Sequence, residues 1–379
     1  MLSYDEALSQ VLRVVPAPRT EPVPLDRALG RILAGECRAD RDVPPFDKAL
    51  MDGYAVRSLD LERGWKRFHI IGEAAAGVPC ELEPGPAEGV RIMTGAPLPP
   101  GTDTVIPVEE TELVEPLEFV TGSALPRGAN VRPRAAEVPQ GRVVLEAGSP
   151  LGSARIGVLA SFGVASVEVY RRPRVALAST GDEVVAVDAT PSAAQIRDAN
   201  GPLLSAQVEA LGLEPPTSQL LPDTPEAVEA FLDAHRSEEL LLLSGGLSMG
   251  KHDYVHQVLK VCGATVLFHK VAIKPGKPLL VARREGQLIF GLPGNPVSSW
   301  VTFHLFVRPA ARKWMGRPDP VGPSWRLPLS EAVTQHPGRL FFAPGRLSPA
   351  AEGLAVTPVP TLGSSDLVAF SAADALFCI

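Results

Sequence analysis

Cysteine is scarce in this chain, and its four cysteines stand far apart. Cys37, Cys80, Cys262 and Cys378 form no CxxC pair in 379 residues, so the spacing typical of a structural zinc site is missing. The first thirty residues are charged and lack the apolar segment of a signal peptide. We therefore expect reduced thiols in a cytoplasmic protein.

Long apolar runs and basic stretches are also missing. No run approaches the roughly 18 uninterrupted apolar residues of a membrane-spanning helix, so we expect no membrane partner. The chain has 43 acidic and 36 basic residues, for a net charge of −7. Because no long basic stretch offsets this balance, we expect no nucleic-acid partner.

Several signatures of common enzyme classes do not occur. The sequence contains neither GxGxxG nor GxxxxGK[ST], and its seven histidines form no HExxH motif. The dinucleotide-binding fingerprint, the P-loop and the zinc-protease helix are thereby excluded. No nucleophile elbow or Ser/His/Asp arrangement is recognisable either.

The first 172 residues predict two kinds of structure. Ser3 and Glu6 form a capping box before an apolar helical pattern, and a second short helix is expected over Asp26–Leu33. Short β-like segments between Pro- and Gly-rich turns then predict a small β module. A helix over Ala154–Ser161 and a strand over Ser166–Tyr170 would pack back on the N-terminal helices, which makes the β module an insertion.

Residues 174–316 alternate between strand and helix patterns, and the last predicted helix is Val297–Trp314. This alternation predicts a doubly wound α/β domain with a mostly parallel sheet covered on both faces. A short linker and a β tail follow. The expected domains are residues 1–40 with 143–172, then 41–142, 173–317 and 318–379.

Small, acidic and lysine residues follow several of the predicted strands. In an open α/β sheet, ligands bind in the crevice beyond the carboxyl ends of the strands. These loops therefore outline one site, for a phosphorylated ligand together with a metal ion. The loops are Ser179–Glu183, Ser244–Gly250, Lys274–Pro278 and Gly291–Pro296.

The charged residues of these loops suggest two functions. Lysines in turns usually serve solubility, but here prolines hold them in place, which suits a phosphate or a tetrahedral oxyanion; they are Lys270, Lys274 and Lys277. Convergent carboxylates suit Mg²⁺, which takes oxygen ligands and bridges phosphates, although Asp182 and Asp223 taken singly also fit helix caps. The acids are Asp182, Glu183, Asp198, Asp223 and Asp253.

Two uncharged turns complete the candidate site. Gly245 and Gly246 permit a close approach of the backbone to an anion, although a lone Gly-Gly pair more often marks a tight strand-to-helix turn. Pro293-Gly294-Asn295-Pro296 precedes a helix whose first turn contains Ser298, where free N–H groups favour an anion. Asp52 and Thr94, by contrast, look like ordinary turn residues.

Taken in order, these segments resemble the MoeA family, the molybdopterin molybdenumtransferases. Seven matching pieces lie between residues 44 and 298, and their common order makes the resemblance specific. They read PPFDKALMDGYAV, RIMTGAPLP, STGDE, QIRDAN, SGGLSMGKHDY, KVAIKPGKP and GLPGNPVS.

The resemblance implies a fold and a reaction. The α/β domain would be MoaB/Mog-like and joined to an inserted β domain, an elongated N-terminal region and a C-terminal β barrel, in a homodimer. The enzyme would take adenylylated molybdopterin and molybdate, release AMP and yield molybdenum cofactor. Such phosphoryl-type chemistry needs positioning and charge neutralisation more than a covalent nucleophile.

The resemblance also implies roles for individual residues. Asp52 and Thr94 would reach the site across the dimer interface. The acids would hold Mg²⁺ and the substrate phosphates, with Glu183, Asp223 and Asp253 as the metal ligands, and the lysines would bind anions. The pterin pocket would be shaped by Gly245, Gly246, Ser248, Pro293, Asn295, Pro296 and Ser298.

Three departures from the family pattern leave an alternative open. Glu137 stands where an Asp is usual, and Pro344 replaces the second arginine of the last domain, with Arg346 as the candidate substitute. The chain ends soon after Ser365, so we expect a short barrel. A degenerate paralogue that carries molybdopterin without inserting molybdenum is the alternative, and an adenylylating nucleotide enzyme is a remoter one.

Overall fold

The structure is a computed structural model that describes residues 1–245, 252–335, 337–350 and 353–379, without the side chains of 252–256. Within these residues, no helix combines the length and apolar character needed to cross a lipid bilayer. All four cysteines are free.

The first 172 residues contain the predicted N-terminal helix and many short strands. Ser3 accepts the backbone N–H of Glu6, and the Glu6 carboxylate accepts that of Ser3, so the capping box is confirmed. The elements are α1 Tyr4–Val14, β1 Thr20–Pro24, β2 Cys37–Arg38, β3 Lys48–Ala49, β4 Gly53–Val56, α2 Ser58–Glu62, β5 Arg67–Ala74, β6 Glu88–Ile92, β7 Thr104–Pro107, β8 Thr111–Glu115, β9 Glu118–Thr121, β10 Val131–Arg132, β11 Val143–Leu145, α3 Ser153–Ser161 and β12 Ser166–Tyr170.

The predicted helix over Asp26–Leu33 is wrong. Only a single 3₁₀ turn, Leu25–Arg27, forms there. Gly30 then adopts φ +75°, a conformation that ends a right-handed helix, and Ile32 and Leu33 form isolated bridges with Pro150 and Val169. Tertiary pairing has overridden a local helical pattern.

Strand pairing connects the two segments that flank the β module. β1 runs antiparallel to β12, and β2 runs antiparallel to β11. Between them, a six-stranded sheet forms in the order β7-β4-β6-β5-β9-β8. The two ends of the β module are thus brought together, as an insertion requires, while the exact domain boundaries stay a prediction.

Residues 175–314 form the α/β unit. The elements are β13 Val175–Thr180, β14 Val184–Val185, β15 Ile196–Arg197, α4 Asn200–Ala210, β16 Thr217–Leu221, α5 Pro225–Ala234, β17 Leu240–Ser244, α6 His252–Val261, β18 Thr265–His269, β19 Ile273–Lys274, β20 Leu280–Arg284, β21 Gln287–Leu292, α7 Pro296–Thr302 and α8 Arg308–Trp314.

The main sheet has the order β16-β13-β17-β21-β20-β18. Its first four strands are parallel to one another. β20 runs antiparallel to its neighbour β21, and β18 runs antiparallel to β20. Leu204 of α4 packs in the core on one face, while Phe231 of α5 and Leu259 of α6 pack in the core on the other. The prediction of a mostly parallel sheet covered on both faces is confirmed.

The predicted helix over Val297–Trp314 is interrupted at its centre. A π-helical turn, Phe303–Val307, separates α7 from α8. Pro309 lies in the first turn of α8 and has no N–H for the α-helical hydrogen bond. A local change of hydrogen-bond pattern accommodates this loss.

The C-terminal residues form a β unit, as predicted. Its first strand pairs with β19 of the α/β unit, where Ile273 and Lys274 lie beside Leu340 and Phe341. The elements are β22 Leu340–Ala350, β23 Gly353–Pro358, α9 Leu367–Ser371 and β24 Ala375–Cys378.

Candidate functional site

A cavity of about 1400 Å³ lies beyond the carboxyl ends of the parallel strands. Its walls include the loops that follow β13, β16 and β21, the lysine-containing turn before β20, and part of the C-terminal β unit. The cavity therefore lies where the crevice rule for open sheets predicts a ligand.

The three predicted lysines all line this cavity. Lys270 adopts φ +74°, an unusual backbone conformation for a residue other than glycine. Lys274 belongs to β19, where its Nζ lies 4.9 Å from the centre of the Phe341 ring and 3.4 Å from Gln335 Oε1. Three lysines thus line one cavity, which favours an anionic ligand.

Three of the predicted acids, Glu183, Asp198 and Asp223, also line the cavity. Asp198 accepts the backbone N–H of Gly201 at 3.0 Å through Oδ1. Asp182 is exposed, and its Oδ1 lies 3.4 Å from the backbone N of Asp223. Asp253 belongs to α6, but its side chain lies outside the described residues.

The described carboxylates fit Mg²⁺ only as a partial ligand set. No three His, Cys, Asp or Glu side chains of the described residues converge closely enough to hold a metal ion. Glu183 and Asp223 nevertheless share one cavity, and protein sites for Mg²⁺ commonly supply one or two carboxylates while water and substrate phosphate supply the rest. The donor type therefore fits Mg²⁺.

The two predicted uncharged turns contribute residues to the same cavity wall as the lysines and acids. Gly245, Pro293, Asn295, Pro296 and Ser298 line the cavity. Ser298 is 5% exposed and lies in the first turn of α7. Gly246 and Ser248 lie outside the described residues.

Asp52 and Thr94 lie together on the β module, but not in the wall of the cavity. Both the backbone N–H and the hydroxyl of Thr94 donate to Asp52 Oδ1, at 2.7 Å each. These hydrogen bonds lower the pKa of the Asp52 carboxyl below its usual value. Both residues are exposed, so an ionised carboxylate is presented on the surface.

Sequence analysis connected the C-terminal β unit to the site only through the family arginine pattern around Pro344, and did not predict that the loop Thr361–Ser365 contributes to the wall. Asn295 Nδ2 donates to Ser364 Oγ at 2.8 Å, which connects the turn before α7 to a loop some seventy residues later. The wall consists of Arg339, Phe341, Phe342, Pro344, Phe370 and the loop Thr361–Ser365.

Arg346, the candidate substitute for the replaced arginine, lies outside the wall of this cavity. Its Nε donates to the carbonyl oxygen of Ala372 at 2.7 Å, and Arg346 is not among the residues lining the cavity. Arg339, in contrast, does line the cavity.

Comparison with known proteins agrees with this arrangement. The family model of the MoeA N-terminal region (domains I and II) matches residues 2–163, that of the probable molybdopterin-binding domain matches 176–313, and that of the MoeA C-terminal region (domain IV) matches 326–379. A molybdopterin molybdenumtransferase of Haemophilus influenzae is 40% identical, over 91% of this chain and 86% of that protein. The chain belongs to the MoeA family.

Other MoeA relatives support the assignment along the whole chain. A molybdopterin molybdenumtransferase of Staphylococcus aureus is 32% identical, over 99% of this chain and 90% of that protein. A crystal structure of the molybdopterin biosynthesis MoeA protein from Pyrococcus horikoshii superposes with a TM-score of 0.84 at 31% identity, covering 100% of this chain and 94% of the other. The MoeA assignment predicted from the sequence motifs is confirmed.

Proposed function

We propose that this protein transfers molybdenum from molybdate to adenylylated molybdopterin and releases AMP, in the final step of molybdenum cofactor biosynthesis. The observation that carries the proposal is a single cavity whose wall contains both lysines and carboxylates. A cavity of this composition suits a ligand with several anionic groups, part of whose charge is neutralised by a divalent cation.

Lys270, Lys274 and Lys277 bind the anions of the reaction. Molybdate is a tetrahedral dianion, and charge-assisted hydrogen bonds to ammonium groups hold such an anion in a fixed orientation. Pro275 and Pro278 stiffen the turn, so the lysines lose less conformational entropy when the anion binds. Orientation of the oxyanion is the contribution that this transfer requires most.

Glu183 and Asp223, together with Asp253, would hold Mg²⁺ in the proposed reaction, and the ion would supply charge neutralisation to the anionic substrate. The carboxylates position the substrate phosphates, and the lysines stabilise the negative charge on the leaving AMP.

A second copy of the chain completes the proposed site. Asp52 and Thr94 are exposed on the β module and lie outside the cavity wall. Three apolar residues near Asp52 in the sequence, Phe46, Leu50 and Met51, are 37%, 38% and 40% exposed. Such a surface suits a homodimer in which one β module reaches the cavity of its partner.

Titration of molybdate tests the role of the lysines. We expect Lys277→Ala to raise the molybdate concentration for half-maximal AMP release roughly tenfold or more, since charge-assisted hydrogen bonds contribute on the order of 1.5–3 kcal/mol. Lys66→Ala, an exposed lysine of the β module, is the control and should match the wild type. An unchanged molybdate dependence in Lys277→Ala would contradict the proposal.

Mixed dimers test the shared site. Asp52→Ala and Lys274→Ala should each be inactive alone, while a mixture exchanged into heterodimers should regain roughly one quarter of the wild-type activity, because half of the dimers carry one intact site. No recovery in verified heterodimers would place both residues in the same subunit's site.

A further inference from the structure

Ser179 has a buried hydroxyl without a hydrogen-bond partner among the described residues. It lies near the carboxyl end of β13, is 2% exposed, and stands in register with Ser244 of β17. Ser244 Oγ lies 3.2 Å from Ser299 Oγ and 3.4 Å from the carbonyl oxygen of Pro293. The two adjacent serines therefore differ, since the described residues supply a hydrogen-bond partner to only one of them.

Asn200 has a second buried oxygen of interest, in its side-chain amide. Its Nδ2 donates to the carbonyl oxygen of Gly294 at 2.7 Å, which fixes the orientation of the amide. Its Oδ1 is buried and has no hydrogen-bond partner among the residues that the structure describes. A buried acceptor left in this state costs free energy until a partner arrives.

The elements that carry these two residues pack against each other beside the cavity. Side chains alternate along a strand, so Ser179 shares a face of the sheet with Leu177, and Leu177 packs in the same core as Leu204 of α4. Asn200 is the first residue of α4, which follows the carboxyl end of β13. Both Ser179 and Asn200 line the cavity.

The chemistry of the pair matches a lactam edge, in which a ring N–H stands beside a ring carbonyl. A fixed amide oxygen can only accept, whereas a serine hydroxyl can donate. The pyrimidinone ring of a pterin offers this edge, with its N–H suited to Asn200 and its carbonyl to Ser179. Adenine has no ring carbonyl, but its N6–H group and N1 offer a similar donor beside an acceptor, so the comparison with AMP in the test separates the two rings.

We propose that Ser179 and Asn200 bind the pyrimidinone edge of the pterin and so fix which way the substrate lies in the cavity. The pterin lies against β13 and α4, and the anionic groups lie toward the lysines. This assignment rests on the proposed function, because it takes molybdopterin as the ligand.

The paired serines provide the test. Dissociation constants for molybdopterin and for AMP, and the urea midpoint of unfolding, are measured for the wild type, Ser179→Ala and Ser244→Ala. Ser179→Ala should bind molybdopterin roughly five- to tenfold more weakly, bind AMP within about twofold of wild type, and unfold at no lower urea concentration. Ser244→Ala should unfold at a lower concentration, because its hydroxyl has partners. Ser58→Ala, in the β module, is the affinity control: its buried hydroxyl donates to Asp103, and the variant should keep its molybdopterin affinity.

Asn200 is tested by two substitutions that both remove the donor to Gly294. Asn200→Asp keeps an acceptor oxygen and should retain more molybdopterin affinity than Asn200→Ala. Equal affinities in this pair would remove Asn200 from the assignment.

Three results would overturn the proposal. Unchanged molybdopterin affinity in Ser179→Ala would refute it while leaving molybdenum transfer intact. An equal loss of AMP affinity would place the adenylyl group there instead. A wild-type protein that binds no molybdopterin at all would end both this assignment and the proposed function.

Discussion

Gly245 and Thr180 approach so closely that a Cβ atom on Gly245 would lie 2.1 Å from the carbonyl oxygen of Thr180. Gly245 also has φ +99°, a conformation that residues with a side chain rarely adopt. The chain that follows β17 can therefore approach the end of β13 this closely because residue 245 is a glycine.

Gly245→Ala should destabilise the protein, because it introduces both a clash with backbone and a strained φ. We expect a loss of about 2 kcal/mol or more in the free energy of unfolding, measured by urea denaturation. Gly294→Ala is the matched control, since its Cβ would meet only Gly245 Cα, at 3.6 Å. Equal stabilities for the two variants would contradict the close approach.

Asp223→Asn should abolish Mg²⁺-dependent AMP release. Removing one carboxylate weakens the proposed metal site, and we expect turnover to fall roughly 100-fold at a fixed Mg²⁺ concentration. Asp188→Asn serves as the control, because Asp188 is exposed and does not line the cavity. If Asp223→Asn turned over like the wild type, Asp223 would have no role in the chemistry.

Asp52 should remain ionised in acid below the usual pKa of an aspartate. The Thr94 hydrogen bonds lower its pKa in the folded state, so their contribution is present above the unfolded pKa and is lost as pH falls through the folded pKa. Thr94→Val removes the hydroxyl and keeps the backbone N–H, and should raise the Asp52 pKa part of the way toward its usual value. NMR titration of the Asp52 carboxyl measures this, and an unchanged pKa would contradict it.

His304 should make the fold sensitive to mild acid. Burial and Arg308 lower the pKa of His304 from 6.5 to about 4, so the unfolded chain takes up a proton over a range in which the folded chain does not. Stability should fall as pH drops from 6.5 toward 4, by on the order of 3 kcal/mol. His304→Phe keeps a ring beside Trp300, which contacts His304 edge-on at 4.5 Å, and should lose less stability over this range. Parallel curves of unfolding free energy against pH for the wild type and His304→Phe would refute this role.

The position of the site could be predicted because it depends on local sequence and one topological rule. Each of the loops after β13 and β21 follows a buried strand, so the carboxyl ends of parallel strands gather them. The lysine turn is likewise a local feature, since Lys274 and Lys277 are separated by only two residues. The alternation of strand and helix patterns predicted the mostly parallel sheet for the same reason.

The remaining features depend on contacts between distant segments. The hydrogen bond from Asn295 to Ser364 requires the C-terminal unit to dock beside α7, which no local pattern encodes. The hydroxyl of Ser179, which has no partner among the described residues, differs from the paired one of Ser244 only through the neighbours that folding supplies. The missing helix over Asp26–Leu33 reflects pairing with residues more than a hundred positions away.

The central claim is tested most directly by a single-turnover reaction of the wild-type protein with adenylylated molybdopterin and Mg²⁺, with and without molybdate. AMP and molybdenum-loaded pterin are quantified in the same samples. We predict that AMP release requires molybdate and that the two products form in equal amounts. Tight pterin binding without molybdate-dependent AMP release would contradict molybdenum transfer and identify the protein as a molybdopterin carrier.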